Sequence, residues 1–222
     1  MLTASARSVC PTSPRSNGAA GASAKAEFYV CLARAFGPMR TPQAEDAFAH
    51  ALADDLAQLA AHSGYDIGDA AARLAASAAA PGARPLADYS ALFLVPPVPV
   101  PLNAGLYLDG GLLGRSTQAM LERYRDAGLA PDERFHDLPD HVTMQLEYLA
   151  VMFARAAEGD RASAARAREF LARFVLAWLP AFRLALHAAA QRIPAARAYE
   201  ALAAILEAAA RHETRSASDA EE

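Results

Sequence analysis

Asp140, His141 and Glu147 stand close together in the run Pro139-Asp140-His141-Val142-Thr143-Met144-Gln145-Leu146-Glu147. An imidazole beside one carboxylate, with a second carboxylate two turns on, suits three kinds of chemistry. It can move a proton, with His141 as general base and Asp140 or Glu147 orienting it. It can receive a guanidinium, which prefers bidentate carboxylate partners. It can hold a metal only with further ligands, and no second histidine follows at helical i+4 spacing. Nor does a nucleophile–base pair stand elsewhere. Ser116 and Thr117 follow Gly114 without a GxSxG, a Walker loop or a GxGxxG, and Gly110-Gly111 reads as a turn, so no phosphate cradle is legible. Cys10 and Cys31 are isolated, with no CxxC, which gives neither a zinc site nor a disulfide framework and points to a reducing compartment. The expectation is therefore a binding protein with no metal or other cofactor, and the rival is a helical enzyme built on His141.

The elements around these residues follow from breakers and periodicity. Pro139 ends whatever precedes it, and Asp140 is predicted to cap a new helix that closes near Gly159. That helix is apolar on almost every face and so should be central and buried. Its polar groups must then be satisfied internally or face a cleft. Before it, helices are predicted over Ala26–Phe36, from Thr41-Pro42 to near Gly64, over about Asp66–Ala80 and over Pro85–Leu94. Val95-Pro96-Pro97-Val98-Pro99-Val100-Pro101 cannot continue a helix and should form an extended loop running on to Gly110-Gly111. A helix from Ser116 or Thr117 ends at Gly128. Downstream, Asp160 opens a helix to about Leu179, Pro180 marks a kink or a new helix, and Pro194 starts the last one. Tyr89, Phe93 and Trp178 stand at helical spacing with leucines, so core packing is the default for each, and Trp178 is read as core.

Composition agrees. Hydrophobic residues make up 54% of 222, alanine dominates them, and the shortage of Val and Ile argues against sheet. The fold class expected is all-α: a single compact multi-helix domain with a long proline-rich central loop. Residues 1–24, rich in Ser, Ala, Pro and Gly, read as a disordered N-terminal tail, 25–211 as the helical domain, and 212–222 as a charged, frayed tail. A net charge of -4 disfavours nucleic acid as a partner. No uninterrupted apolar run approaches the roughly 20 residues that span a bilayer, so no stable membrane association is expected.

Four segments, in order, resemble the TorD/DmsD family of molybdoenzyme maturation chaperones. Tyr89-Ser90-Ala91-Leu92-Phe93 resembles its aromatic-x-x-Leu-Phe helix before a proline-rich loop. Tyr107-Leu108 through Leu113-Gly114-Arg115-Ser116-Thr117, with Tyr124 and Gly128, resembles the loop exit and the next helix. Pro139-Asp140-His141 resembles the Asp-His signature, and Trp178-Leu179-Pro180-Ala181-Phe182 the C-terminal Trp-Leu-Pro helix. Asn103-Ala104-Gly105 and Arg115 depart from the family pattern. The resemblance covers roughly Ala26 to Ala210. It implies an all-helical cytoplasmic chaperone, monomer or homodimer. Its partner would be the apo form of a molybdopterin-dependent oxidoreductase, held by its twin-arginine signal peptide until the cofactor is inserted before export. The residues expected to bind that peptide are Tyr89, Leu92, Phe93, Pro101, Tyr107, Gly114, Asp140, His141 and Glu147. Asp140 and Glu147 would receive the guanidiniums, Asp88 and Asp109 would lie further out, and Tyr89, Phe93, Pro101 and Tyr107 would line an apolar groove.

Overall fold

Helix α8 (Val142–Ala157) occupies the centre, as its apolar sequence requires: Met144, Leu146, Tyr148, Leu149, Met152 and Phe153 are all buried. The structure is a computed structural model, and it describes residues 2–4, 17–80, 84–132 and 137–218. Among them the chain is almost entirely helical. α1 (Asn17–Ala35) packs along α8 and against α3 (Leu52–Ser63), the ring of Tyr29 stacking on Phe153. α2 (Pro42–His50) begins where Thr41 caps the N–H of Ala44, and α3 ends at Gly64, which takes the left-handed conformation at φ 77°. The single helix expected from Pro42 to Gly64 is thus two, broken at Ala51. α4 (Gly68–Ala78) and α5 (Pro85–Phe93) follow.

Beyond α5 the chain is irregular from Leu94 to Asn103, with a cis peptide bond between Pro96 and Pro97. The loop expected to run unbroken to Gly111 is interrupted by a short helix, α6 (Ala104–Leu108). α7 (Arg115–Asp126) leads through Gly128 into a three-residue strand, β2 (Leu129–Pro131). β2 pairs antiparallel with β1 (Leu2–Ala4), in the register Leu2 to Pro131, Thr3 to Ala130 and Ala4 to Leu129. β1 and the first turns of α1 both fall in the stretch read from sequence as a tail. Residues 5–16, with Cys10, lie outside the described residues.

α9 (Arg161–Phe170), a π-helical turn (Leu171–Val175) and α10 (Leu176–Ala189) form one continuous helix, and Pro180 sits inside α10 without restarting it. This 29-residue helix is long and apolar enough to cross a membrane by length and composition, yet Phe170, Leu171, Val175, Trp178, Leu179, Phe182 and Leu186 are buried in the core. α11 (Ala196–Ser218) closes the molecule against α4 and α10. It continues through the stretch expected to fray from residue 212. Glu213 there is buried, accepts the Tyr65 hydroxyl at 2.8 Å and pairs with Lys25 at 2.5 Å, which ties α11 to α1.

Candidate functional site

Asp140 is fully buried and does not cap α8. Its Oδ2 accepts the N–H of Gly105 at 2.7 Å, and its Oδ1 lies 3.4 Å from Asn103 Nδ2. Asn103 stands at the N-cap of α6 but makes no capping bond of its own, so Asp140 serves the first turn of α6 from across the chain. Backbone bonds add to this: Ala104 N–H donates to the Asp140 carbonyl at 3.1 Å, and Val142 N–H to the Leu102 carbonyl at 2.9 Å. Gln145, which sequence reasoning passed over, donates its amide N–H to the same Asp140 carbonyl at 2.7 Å. Its Oε1 receives the Trp178 indole N–H at 3.0 Å. Trp178 is core, as expected, but its polar end fixes Gln145, and Gln145 fixes the Asp140 turn.

Gly105 is where this packing tolerates no side chain. A Cβ there would lie 2.7 Å from Asp140 Oδ2, 3.1 Å from the Gly111 carbonyl and 3.2 Å from Thr117 Oγ1. The departure from the family pattern at Asn103-Ala104-Gly105 therefore has a local logic: α6 approaches Asp140 closely only because residue 105 is glycine.

The cap of α8 is His141, with φ −60° and ψ 139°. Its Nδ1 accepts the Thr143 N–H at 3.2 Å and meets the Thr143 hydroxyl at 2.8 Å. Accepting from the backbone requires a bare Nδ1, which assigns the ring proton to Nε2. Nε2 faces the Asp137 carboxylate at 3.8 Å. Burial pushes the imidazole pKa below its ordinary 6.5, while Asp137 and Asp140 pull it back only in part. The basic nitrogen is thus engaged in the cap, while Asp140 bonds Gly105 and Glu147 Oε2 accepts the Leu2 N–H at 2.8 Å.

Exposed acids sit at the two ends of α6. Asp137, four residues before His141, accepts from Asn103 Nδ2 at 3.1 Å while remaining exposed. Asp109 Oδ2 accepts the Ser116 N–H at 3.0 Å and its hydroxyl, capping α7 where Gly114 offers no side chain. A Cβ on Gly114 would fall 2.3 Å from that oxygen. Asp88 closes the first turn of α5 by accepting the Arg84 N–H at 2.9 Å. Asp137 was missed in the sequence; the available signal was its i−4 spacing from His141 across Pro139.

The aromatic residues divide. Tyr89, Leu92 and Phe93 are buried. Tyr89 donates to the Phe36 carbonyl at 3.3 Å, and Phe93 meets Tyr199 edge-on at 4.8 Å. Half-buried Tyr107 donates to the Pro101 carbonyl at 2.8 Å and stacks on Trp178, with centroids 6.2 Å apart. The structure thus joins Pro101, Tyr107, Gly114, Asp140 and His141 around α6, and puts Tyr89, Leu92 and Phe93 in the core. The other face of α5 borders a groove of about 780 Å³, lined by Ala87, Ala91, Pro96, Pro97, Ala188 and Arg192 among others. Leu94 and Val95 next to it are each 56% exposed.

Residues 45–183 match the nitrate reductase delta subunit family. The chain belongs to that family. The matched span contains every residue named above as a peptide contact, and the assignment carries the TorD/DmsD likeness with it. No curated protein and no solved structure matches the chain. Within this delta-subunit fold, no group of three or more His, Cys, Asp or Glu among the described residues is placed to hold a metal ion.

Proposed function

We propose that this member of the delta-subunit family is a cytoplasmic, non-catalytic chaperone. It binds the twin-arginine signal peptide of an apo molybdopterin-dependent oxidoreductase and assists cofactor insertion before export. Membership of the family over residues 45–183 is the observation that carries the reading. The geometry around α6 supports it. Asp137 and Asp109 offer exposed carboxylates at the two ends of one short helix, suited to two guanidiniums. Asp140, His141, Gly114 and Gln145 form the frame that fixes those ends. The groove between α5 and α10 offers an apolar surface for the hydrophobic stretch that follows the arginines. The buried Tyr89, Leu92 and Phe93 hold α5, one wall of that groove, from beneath.

Such a surface reaches a useful affinity without being irreversible. Two or three charge-assisted bonds contribute about 1.5–3 kcal/mol each, and each apolar side chain buried in the groove about 1.5–3 more. Ordering the peptide offsets several. A net of about 8 kcal/mol, or micromolar affinity, suits a chaperone that must let go. Calorimetry against a twin-arginine leader and its double-lysine variant tests the reading. The arginine peptide should bind about tenfold more tightly, because lysine cannot bridge a carboxylate bidentately. Equal heats, or none, would contradict it.

A further inference from the structure

The turn between α6 and α7 runs through Gly110-Gly111-Leu112-Leu113-Gly114 and puts two leucines into water. Leu112 is 56% exposed and Leu113 60%. Leu113 also holds φ 58°, and among the described residues it alone, glycines aside, has a positive φ. A bulky side chain is strained in that region. Such strain persists only where the surroundings impose it, and it clusters at sites that grip a ligand. Here Asp109, the C-cap of α6, imposes it. Its Oδ2 accepts the Ser116 N–H at 3.0 Å and the Ser116 hydroxyl, which closes the turn. The same carboxylate lies against Gly114, where a Cβ would meet Oδ2 at 2.3 Å, so it sits one residue from Leu113. The result is a firm apolar tip beside an exposed acid. The other end of α6 differs, because Leu138, next to exposed Asp137, is half-buried.

We infer that Leu112 and Leu113 are specificity-determining contacts for the leader, covering an apolar side chain directly beside the arginine that Asp109 receives. The inference rests on the leader-binding reading and deepens it. The groups around the tip define what fits. Asp109 asks for a cation and the leucines for an apolar neighbour. Arg115, exposed two residues beyond Leu113, repels a further cation on that side. The segment that suits all three is an arginine with an uncharged apolar neighbour, not a run of basic residues. An anionic lipid surface would meet Asp109 and Asp137 together and is disfavoured. Because the turn is already fixed, the leucines lose little freedom when the leader covers them.

Two substitutions separate contact from structure. Leu113→Gly relieves the strained backbone while deleting the side chain, and Leu112→Ser acts on an exposed residue. The double variant of the full chain should melt no lower than wild type. By anisotropy it should bind a fluorescent twin-arginine leader, with an apolar residue on each side of the arginine pair, about tenfold more weakly than wild type. A second leader, with those two flanking residues changed to serine, should bind wild type about tenfold more weakly than the first. The double variant should bind both leaders equally, because the two losses are one contact removed from either side. Should the variant melt lower, the comparison of leaders still decides, since general loosening weakens both alike. A double variant that binds the first leader like wild type, or that loses equal affinity for both, overturns this inference and leaves the chaperone reading standing. No binding of either leader to wild type overturns the chaperone reading and this inference with it.

Discussion

Asp140 and Asp137 divide between them what one acid would be expected to do. Asp140 is spent internally on Gly105, and Asp137 remains at the surface. Asp137→Asn should then weaken leader binding about tenfold and leave chemical denaturation nearly unchanged, as surface substitutions do. Asp140→Asn should cost about 1–2 kcal/mol of stability through a weakened charge-assisted bond. Gly105→Ala should cost about 1–3 kcal/mol by overpacking, because its Cβ would press on the Asp140 carboxylate. If Asp140→Asn abolishes binding at full stability while Asp137→Asn does nothing, the roles are reversed. His141 gives a pH signature. Its folded pKa lies below the unfolded 6.5, so the unfolded chain binds its proton first. Its contribution is complete above about pH 6.5 and is lost as pH falls from there through the folded value. Protonation would also take the Nδ1 lone pair from the Thr143 N–H. Between pH 7.5 and 5, His141→Asn, which keeps a capping oxygen, should lose less stability than wild type in thermal melts. Parallel curves would show that His141 does not titrate in this range.

The helices were legible wherever a local breaker or cap marks them. Thr41-Pro42, Gly64, Pro85 and Gly128 sit where the sequence places them, since each acts within one turn of backbone. Two of the misses depend on groups distant in sequence. α6 has no side-chain cap of its own, and Asp140, 35 residues on from Gly105, supplies one. His141 rather than Asp140 caps α8, because Asp140 is drawn to α6. The break at Ala51 and the π-helical turn at Leu171–Val175 carry no Gly or Pro, so nothing local announces them. For the site, the Asp140–His141 motif was readable, and the helical spacing of Tyr89 and Phe93 with leucines pointed to the core, but their partner there, Tyr199, was not legible. Periodicity locates an apolar face without saying what it meets. The stretch from Leu94 to Asn103 has few backbone bonds, Val100 N–H to the Leu92 carbonyl at 3.2 Å being one. Its amides should exchange fast in the free protein and slow at least several-fold on binding leader, together with those of α6. Unchanged exchange there would move the groove elsewhere.

At the scale of the whole molecule, the family span from residue 45 to 183 holds the α6 face, β2 and the α5 wall of the α5–α10 groove, whose other wall, from Ala185 to Ile193, lies just beyond it. α1 and α11 close around it, joined through Lys25, Tyr65 and Glu213. A frame of this kind keeps the proposed binding face in register while leaving the irregular stretch before α6 to adapt. Under the proposed function, release would follow from valency. A leader and an unfinished part of the same enzyme, held together, reinforce each other by effective concentration, and completing the enzyme removes one contact and loosens the other. The most direct measurement is retention of the partner oxidoreductase on the tagged full chain, from cells that make molybdenum cofactor and from cells that cannot. Strong retention of the apo enzyme, little of the loaded one, and loss of both when the leader's arginines are replaced by lysine are the expected outcome. Equal retention of apo and cofactor-loaded enzyme, or retention indifferent to the leader, would contradict it.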